Sequence, residues 1–175
     1  TPYLKKKFNG NVISLAQGAS GNKNYFHWMF DILPKIKITF SYFSPQDIDY
    51  FYMPELQSFQ KRILTILGIK NFKVINSDKY RHIQADRIIV PEHPWYNKST
   101  IFNQVNDLPM WISKWLKSVF IIKRKSKKKI SKIFIDRSES DNKHCQLINN
   151  EQIKIFLSQK GFKSIKVGQY DFLDQ

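Results

Sequence analysis

The sequence predicts an α/β fold, a mostly parallel sheet covered by helices, on two observations. Short strand-like runs alternate with helix-like runs along the chain, the pattern of parallel strands joined by helical crossovers. The 175 residues, 42% hydrophobic and 15% aromatic, are also enough to bury a core, as one domain or as one domain and part of a second. The same composition excludes disorder outside short segments.

Taken in order, residues 11–17 read as a strand and Gly18-Ala19-Ser20-Gly21-Asn22 as the turn into the first helix. Small residues there let backbone amides approach an anion. The G-x-G-x-x-G spacing of a dinucleotide site is missing, so the segment reads as a loop able to line a cleft. The first helix follows. Asn24, His27, Asp31 and Lys35 are spaced by three, four and four residues and share one narrow stripe. Trp28, Met29, Ile32, Leu33 and Ile36 form a wide apolar face beside it, joined by Tyr25, Phe26 and Phe30. A helix that apolar is buried, and a buried imidazole and carboxylate need partners or an opening onto a cleft. Pro34 is expected to cut the helix short, because it offers no donor to the Phe30 carbonyl. Spacing alone leaves open whether His27 and Asp31 merely satisfy each other or do chemistry.

Ser44-Pro45-Gln46-Asp47 reads as a turn, and Asp49 to Pro54 as a strand ended by proline. Phe59 to Leu67 has helical apolar spacing and is closed by Gly68. Two further strands are expected at Phe72–Ile75 and Asp86–Pro91. Residues 91–97, Pro-Glu-His-Pro-Trp-Tyr-Asn, leave the carboxyl end of the second of these, the edge where open α/β sheets place ligands. Leu108 to Ile122 reads as a helix with Trp111, Trp115, Val119 and Ile122 on a core-facing stripe. The basic segment 123–131 reads as a linker, residues 132–136 as a strand, Glu151–Gln159 as a helix and Ser164–Val167 as a second strand. The expected domains are therefore 1–122 and 132–175, joined by 123–131.

The net charge is +15, densest at Lys123 to Lys129 with a smaller block at Lys5-Lys6-Lys7. Such runs attract phosphate backbones or an anionic membrane face. A solvated connector is the favoured reading, and weak membrane or polyanion association stays open. The single cysteine, Cys145, rules out an intrachain disulfide and fits a reducing, cytoplasmic setting. Beside His144 it reads as a loop residue, not as a nucleophile or metal ligand. No stretch approaches the roughly 20 apolar residues that cross a bilayer, and no signal peptide opens the sequence, although residue 1 is Thr and anything upstream would be invisible.

The run Asn24-Tyr25-Phe26-His27-Trp28, with Asp31 and Leu33-Pro34-Lys35, resembles the first motif of glycosyltransferase family 61. Lys132 to Ser140, Asn149-Asn150-Glu151 and Lys160-Gly161-Phe162 are similar to that family's strand, Arg-Ser, Asn-Glu and Gly-Phe sequence. Two motifs in the right order are far more specific than either alone. The resemblance implies a GT-B-like architecture of two Rossmann-type halves, the second truncated. It implies transfer of a sugar, with inversion, from a nucleotide-sugar donor to a surface polysaccharide or glycan of the capsule or lipopolysaccharide kind. The family continues past the element matched by Asp174-Gln175 into a donor-binding segment, so residues 1–175 are expected to be inactive alone.

Under that resemblance His27 and Asp31 are the catalytic pair. Which of them is the base stays open, with a lean to His27, whose unperturbed pKa lies nearer neutrality. Asn24 and the loop residues His93, Trp95 and Tyr96 are candidates to bind the acceptor, since a sugar ring stacks on such aromatics. The competing reading of that loop is a stiff, packed turn. Arg137, with Ser138 beside it, is the candidate to contact the donor phosphate, against the alternative of an interdomain salt bridge. Lys143 is a substitute for basic residues that the family carries after Arg-Ser, although the segment to Asn149 looks longer than usual. No cofactor or metal is expected, because Asp47-Ile48-Asp49 precedes its strand instead of following it. The expected location is cytoplasmic, with room for peripheral contact with the inner membrane face. A basic nucleic-acid- or polyanion-binding module is the rival, disfavoured because 123–129 lacks interleaved aromatics and no RRM, KH or helix-turn-helix signature is present. A non-catalytic scaffold remnant is the third reading.

Overall fold

The computed structural model describes residues 5–16, 24–70, 72–94, 108–121, 132–138 and 146–173, which fall into two units, Thr1–Leu116 and Lys117–Gln175. In the first unit β1 (Lys6–Ser14) lies between β2 (Tyr50–Met53) and β4 (Ile83–Ile89), and β3 (Lys73–Asn76) extends the sheet beyond β2. The order is β3-β2-β1-β4 and every pairing is parallel. Val12 and Ile13 in the central strand are fully buried on opposite faces, as a parallel sheet covered on both sides requires. The α/β architecture read from the alternation of elements is therefore what the chain forms.

Both β1 and β4 begin earlier than the sequence suggests, and for one reason. Lys6, Lys7 and Phe8 pair with Ile83, Gln84 and Ala85, then the register shifts before Asn11 meets Arg87. Asn9-Gly10 reads as a break in sequence but forms a bulge inside the strand. Gly10 adopts φ +117°, open only to glycine, and a Cβ there would strike the Asp49 carboxylate. The Gly10 N–H donates to Asp86 Oδ2 at 2.6 Å, and the Asn11 N–H donates to Asp49 Oδ2 at 2.8 Å. Two acidic side chains thus replace the ladder bonds that the bulge interrupts.

The first helix does not stop at Pro34. It runs as α1 (Tyr25–His27), a π-turn (Trp28–Ile32) and α2 (Leu33–Thr39). In the π-turn the Leu33 N–H donates to the Trp28 carbonyl, one residue further back than in an α-helix. That widening precedes the proline and puts it in the first turn of α2, where a missing N–H and a fixed φ are tolerated. Trp28, Ile32, Leu33 and Ile36 are buried, so the broad apolar face meets the core as expected.

Helix α3 (Ser58–Ile66) buries Ile63 and Leu64. It ends at Gly68, φ +81°, whose N–H donates to Thr65 while Ile69 donates to Leu64, a Schellman closure. The connection from β3 to β4 is tied to β2, because the Tyr52 hydroxyl donates to the Tyr80 carbonyl at 2.8 Å. Helix α4 (Met110–Phe120) corrects the tryptophan stripe. Its buried residues are Ile112, Leu116 and Phe120, and Trp111 is 36% exposed. The buried line is displaced by one residue because aliphatic groups can be sealed completely, whereas the large, N–H-bearing indole is seldom fully enclosed.

In the second unit β5 (Ile133–Ile135) pairs in parallel with β6 (Lys163–Ile165), with α5 (Asn150–Gln159) between them in the chain. Phe120 and Phe172 meet edge to face at 4.8 Å. The basic segment 123–131 lies outside the described residues. Among the described residues no helix is long and apolar enough to cross a membrane.

Candidate active site

Between β1 and β4 the strand order reverses, because β2 and β3 are laid down on one side of β1 and β4 on the other. Segments leaving the carboxyl ends of two such strands diverge and open a crevice. The chain beyond β1 leads to the composite helix bearing His27 and Asp31, and the chain leaving β4 at Ile89 reaches His93 four residues later. The topology therefore brings together two histidines that are 66 positions apart, 93 − 27, in sequence.

Asn24 fixes the start of the helix. Its Oδ1 accepts from the Phe26 N–H at 2.9 Å and from the His27 N–H at 3.4 Å, an N-cap that satisfies two otherwise open donors. Asn24, expected from the sequence to bind the acceptor, thus spends its amide oxygen on capping the helix. One turn on, His27 Nδ1 stands 2.7 Å from Asp31 Oδ2. The other carboxylate oxygen, Oδ1, faces His93 Nε2 at 3.6 Å, an electrostatic contact longer than a hydrogen bond. The side chain of Asp31 is only 8% exposed, while those of His27 and His93 are each 31% exposed. A buried carboxylate is thus flanked by two imidazoles that both retain access to solvent.

Burial pushes the His93 imidazole below the ordinary histidine pKa. Asp31 pulls the other way, and Lys35 and His27 add to the depression. Lys35, one turn beyond Asp31, is fully buried. Burial lowers its pKa too, against the opposing pull of Asp31. The Lys35 carbonyl accepts from the Thr39 hydroxyl at 2.9 Å. Four ionisable groups, His27, Asp31, Lys35 and His93, therefore act on one another in a partly desolvated space, where charges interact more strongly than in water.

Such an arrangement can move a proton. A carboxylate at Nδ1 holds the imidazole proton there, which leaves Nε2 of this part-exposed side chain with a lone pair. The adjoining ring of Phe26 stands edge-on to the imidazole at 5.6 Å. Among the described residues no group of three or more His, Cys, Asp or Glu side chains is arranged to hold a metal ion.

In the second unit Arg137 and Ser138 follow β5 after one residue, Asp136, and are exposed. They line a cavity of about 270 Å³ with Phe134, Gln146, Leu147 and Asn150, at the carboxyl end of β5 and the N-terminus of α5. The bend there is held by Asp136. Its Oδ1 accepts from the Ser138 N–H at 2.9 Å and from Asn150 Nδ2 at 3.2 Å, and Lys154 Nζ lies 3.3 Å from Oδ2. The bond from the Ser138 backbone leads the set of interactions that hold the Asp136 carboxyl well below the usual carboxylate range. A larger cavity, about 490 Å³, opens at the amino ends of β2 and β3 between Phe40, Tyr50, Phe51 and Phe72. It contains none of the sequence-predicted site residues.

Trp95, Tyr96 and Lys143 lie outside the described residues. Sequence reasoning placed Lys35 on the stripe without giving it a role, and the structure buries it completely. Asp136 stood within the second motif without a role, although an acidic residue after a strand and two positions before a serine is the start of an Asx-turn.

No curated protein and no solved structure matches the chain. A family model described as Glycosyltransferase 61 matches residues 25–175, a span that contains both the His27–Asp31 helix and the Arg137 cavity. The chain belongs to glycosyltransferase family 61.

Proposed function

We propose that the full-length protein transfers a sugar, with inversion, from a nucleotide-sugar donor to a hydroxyl of a surface polysaccharide or glycan, in capsule or lipopolysaccharide synthesis, and that residues 1–175 alone do not. The observation that carries the reading is the 2.7 Å contact between His27 Nδ1 and Asp31 Oδ2 beneath a part-exposed imidazole. His27 Nε2 takes the acceptor proton as the hydroxyl oxygen forms its bond to the anomeric carbon. The bond from that carbon to the donor phosphate breaks with its electron pair on the phosphate oxygen. A single displacement of this kind inverts the centre. Asp31 orients His27 and stabilises its charge as the proton arrives. In this reading His93 holds the acceptor hydroxyl and Trp95 and Tyr96 supply stacking surfaces.

In this reading the first unit is the acceptor side and the second the beginning of the donor side of a GT-B-like enzyme. Arg137, the Ser138 hydroxyl and the first turn of α5 are the candidates to receive the diphosphate, with Lys143 as a further cation. Support comes from the cavity that Arg137 lines and from the absence of an ion pair for it among the described residues. Fixed positive charge there would serve the leaving group without a metal. The single cysteine agrees with a cytoplasmic setting, and the net charge of +15 with peripheral contact with an anionic membrane face.

The test is to offer the full-length protein a panel of nucleotide sugars with polysaccharide acceptors. Arg137→Ala is expected to raise KM for the donor by roughly tenfold or more, the scale of one lost charge-assisted hydrogen bond. A donor KM unchanged by Arg137→Ala removes that residue from the phosphate site. Failure of every donor to react removes the reading itself.

A further inference from the structure

A carboxylate is an unexpected neighbour for a pocket that is to receive a diphosphate, because like charges repel, and most strongly where water is scarce. Asp136 is such a neighbour. It is 5% exposed and does not itself line the Arg137 cavity, although Ile135, Arg137, Ser138 and Asn150 around it all do. Its main chain is anchored to the sheet, the Asp136 N–H donating to the Ile165 carbonyl at 2.8 Å. Its Oδ1 accepts from the Ser138 N–H at 2.9 Å and from Asn150 Nδ2 at 3.2 Å. Arg137 is therefore strung between two fixed points, and Asn150 is turned so that its amide nitrogen faces the carboxylate. Lys154 Nζ, one turn along α5 from Asn150, approaches the other oxygen, Oδ2, at 3.3 Å. The same ammonium meets Glu151 Oε1 at 2.8 Å, but that side chain is 77% exposed and water screens its charge.

We propose that Asp136 is a positioning residue for the phosphate pocket and Lys154 its counter-charge: the carboxylate sets Arg137, Ser138 and Asn150 around the cavity, and the ammonium cancels the repulsion that this carboxylate would exert on a bound diphosphate. Neither residue lines the cavity. An acid suits the place because a carboxylate has lone pairs enough for the Ser138 N–H, the Asn150 amide and the Lys154 ammonium together. The consequence for donor binding rests on the function proposed above; the contacts that Asp136 makes do not.

The probe is inorganic pyrophosphate, titrated calorimetrically into the full-length protein and its variants. Lys154→Met leaves the Asp136 charge uncancelled and is expected to weaken pyrophosphate by roughly tenfold. Adding Asp136→Asn removes the repelling charge and keeps an oxygen for the Ser138 N–H, so the double variant should return to within about threefold of the wild type. A pair that served folding alone would leave the affinity unmoved in both. Asp136→Ala and Asp136→Asn carry the same charge and differ in the acceptor at the turn, and the alanine variant should bind pyrophosphate roughly tenfold more weakly than the asparagine one. Equal affinities in those two overturn the positioning role. An unchanged affinity in Lys154→Met, or one that Asp136→Asn does not restore, overturns the counter-charge. If Asp136→Ala does not fold, Asp136→Ser, whose hydroxyl makes the turn more weakly, takes its place and should also bind more weakly than Asp136→Asn. Wild-type protein that binds no pyrophosphate, or binds it no better than Arg137→Ala, removes the phosphate pocket and this proposal with it. Pyrophosphate held through Arg137 by a protein that transfers no sugar removes the function above and leaves the proposal standing.

Discussion

Asp31 touches two histidines from opposite sides of its carboxylate, His27 Nδ1 at 2.7 Å and His93 Nε2 at 3.6 Å. The closer contact decides which nitrogen of His27 is available. A carboxylate only accepts, so the imidazole must donate from Nδ1, and Nε2 is left to receive a proton. Nitrogen NMR of the imidazole at neutral pH should therefore show His27 protonated at Nδ1. Asp31→Asn can present an amide N–H to Nδ1 instead, and is expected to drive the proton to Nε2. A wild-type ring carrying its proton on Nε2 would remove the base from the mechanism.

The depressed pKa of His93 makes the first unit sensitive to mild acid. Its ordinary value is 6.5 and the folded value lies below it. Between the two the unfolded chain binds more protons, so this contribution to stability is complete above about pH 6.5 and is lost as pH falls through the folded value. All four tryptophans, at 28, 95, 111 and 115, lie in the first unit, so their fluorescence follows that unit alone. The denaturant midpoint read by tryptophan should fall as pH is lowered from 7 towards 5, and His93→Gln should flatten that slope. In the second unit the depressed group is Asp136, whose contribution is present above its ordinary 3.8 and is lost only at lower pH. A wild-type midpoint that is level across the range would show that His93 is not held in its depressed state.

Gly10 is the one position in β1 where a methyl group should be expensive. Its φ of +117° is closed to other residues, and the Asp49 carboxylate occupies the space a Cβ needs. Moving that carboxylate would also break its bond to the Asn11 N–H. Gly10→Ala is expected to destabilise the first unit by about 1–3 kcal/mol, the scale of a strained backbone position. Urea unfolding followed by tryptophan fluorescence measures it. A loss of only a few tenths of a kcal/mol would mean that the strand can straighten without the bulge.

Much of this was legible in the sequence because the physics was local. Helix α3 could be placed from apolar spacing and Gly68, and the buried face of the composite helix from the run Trp28 to Ile36. The His27–Asp31 contact is also local, a one-turn separation that any helix makes short. What failed depended on partners far away in the chain. Lys6–Phe8 are strand only because Ile83–Ala85 lie beside them, and nothing in Lys-Lys-Phe announces it. Pro34 reads as a stop because an α-helix has no place for it, yet a π-turn makes one. His93 was read as part of an acceptor loop, and its approach to Asp31 is set by the order of the strands, which local sequence does not encode. The tryptophan stripe failed through competition, since Ile112 and Leu116 fill the core more completely than Trp111.

The account turns on His27 as the base and Asp31 as its support, and the kinetics of the full-length enzyme test this most directly. With a reactive donor and acceptor in hand, His27→Ala should lower kcat by roughly 10² to 10⁴-fold with KM for the donor nearly unchanged, the signature of a group used only in the transition state. Asp31→Asn should fall in the same range, and the double variant little further, because the two residues act as one unit. Transfer at the wild-type rate by either single variant would contradict the account.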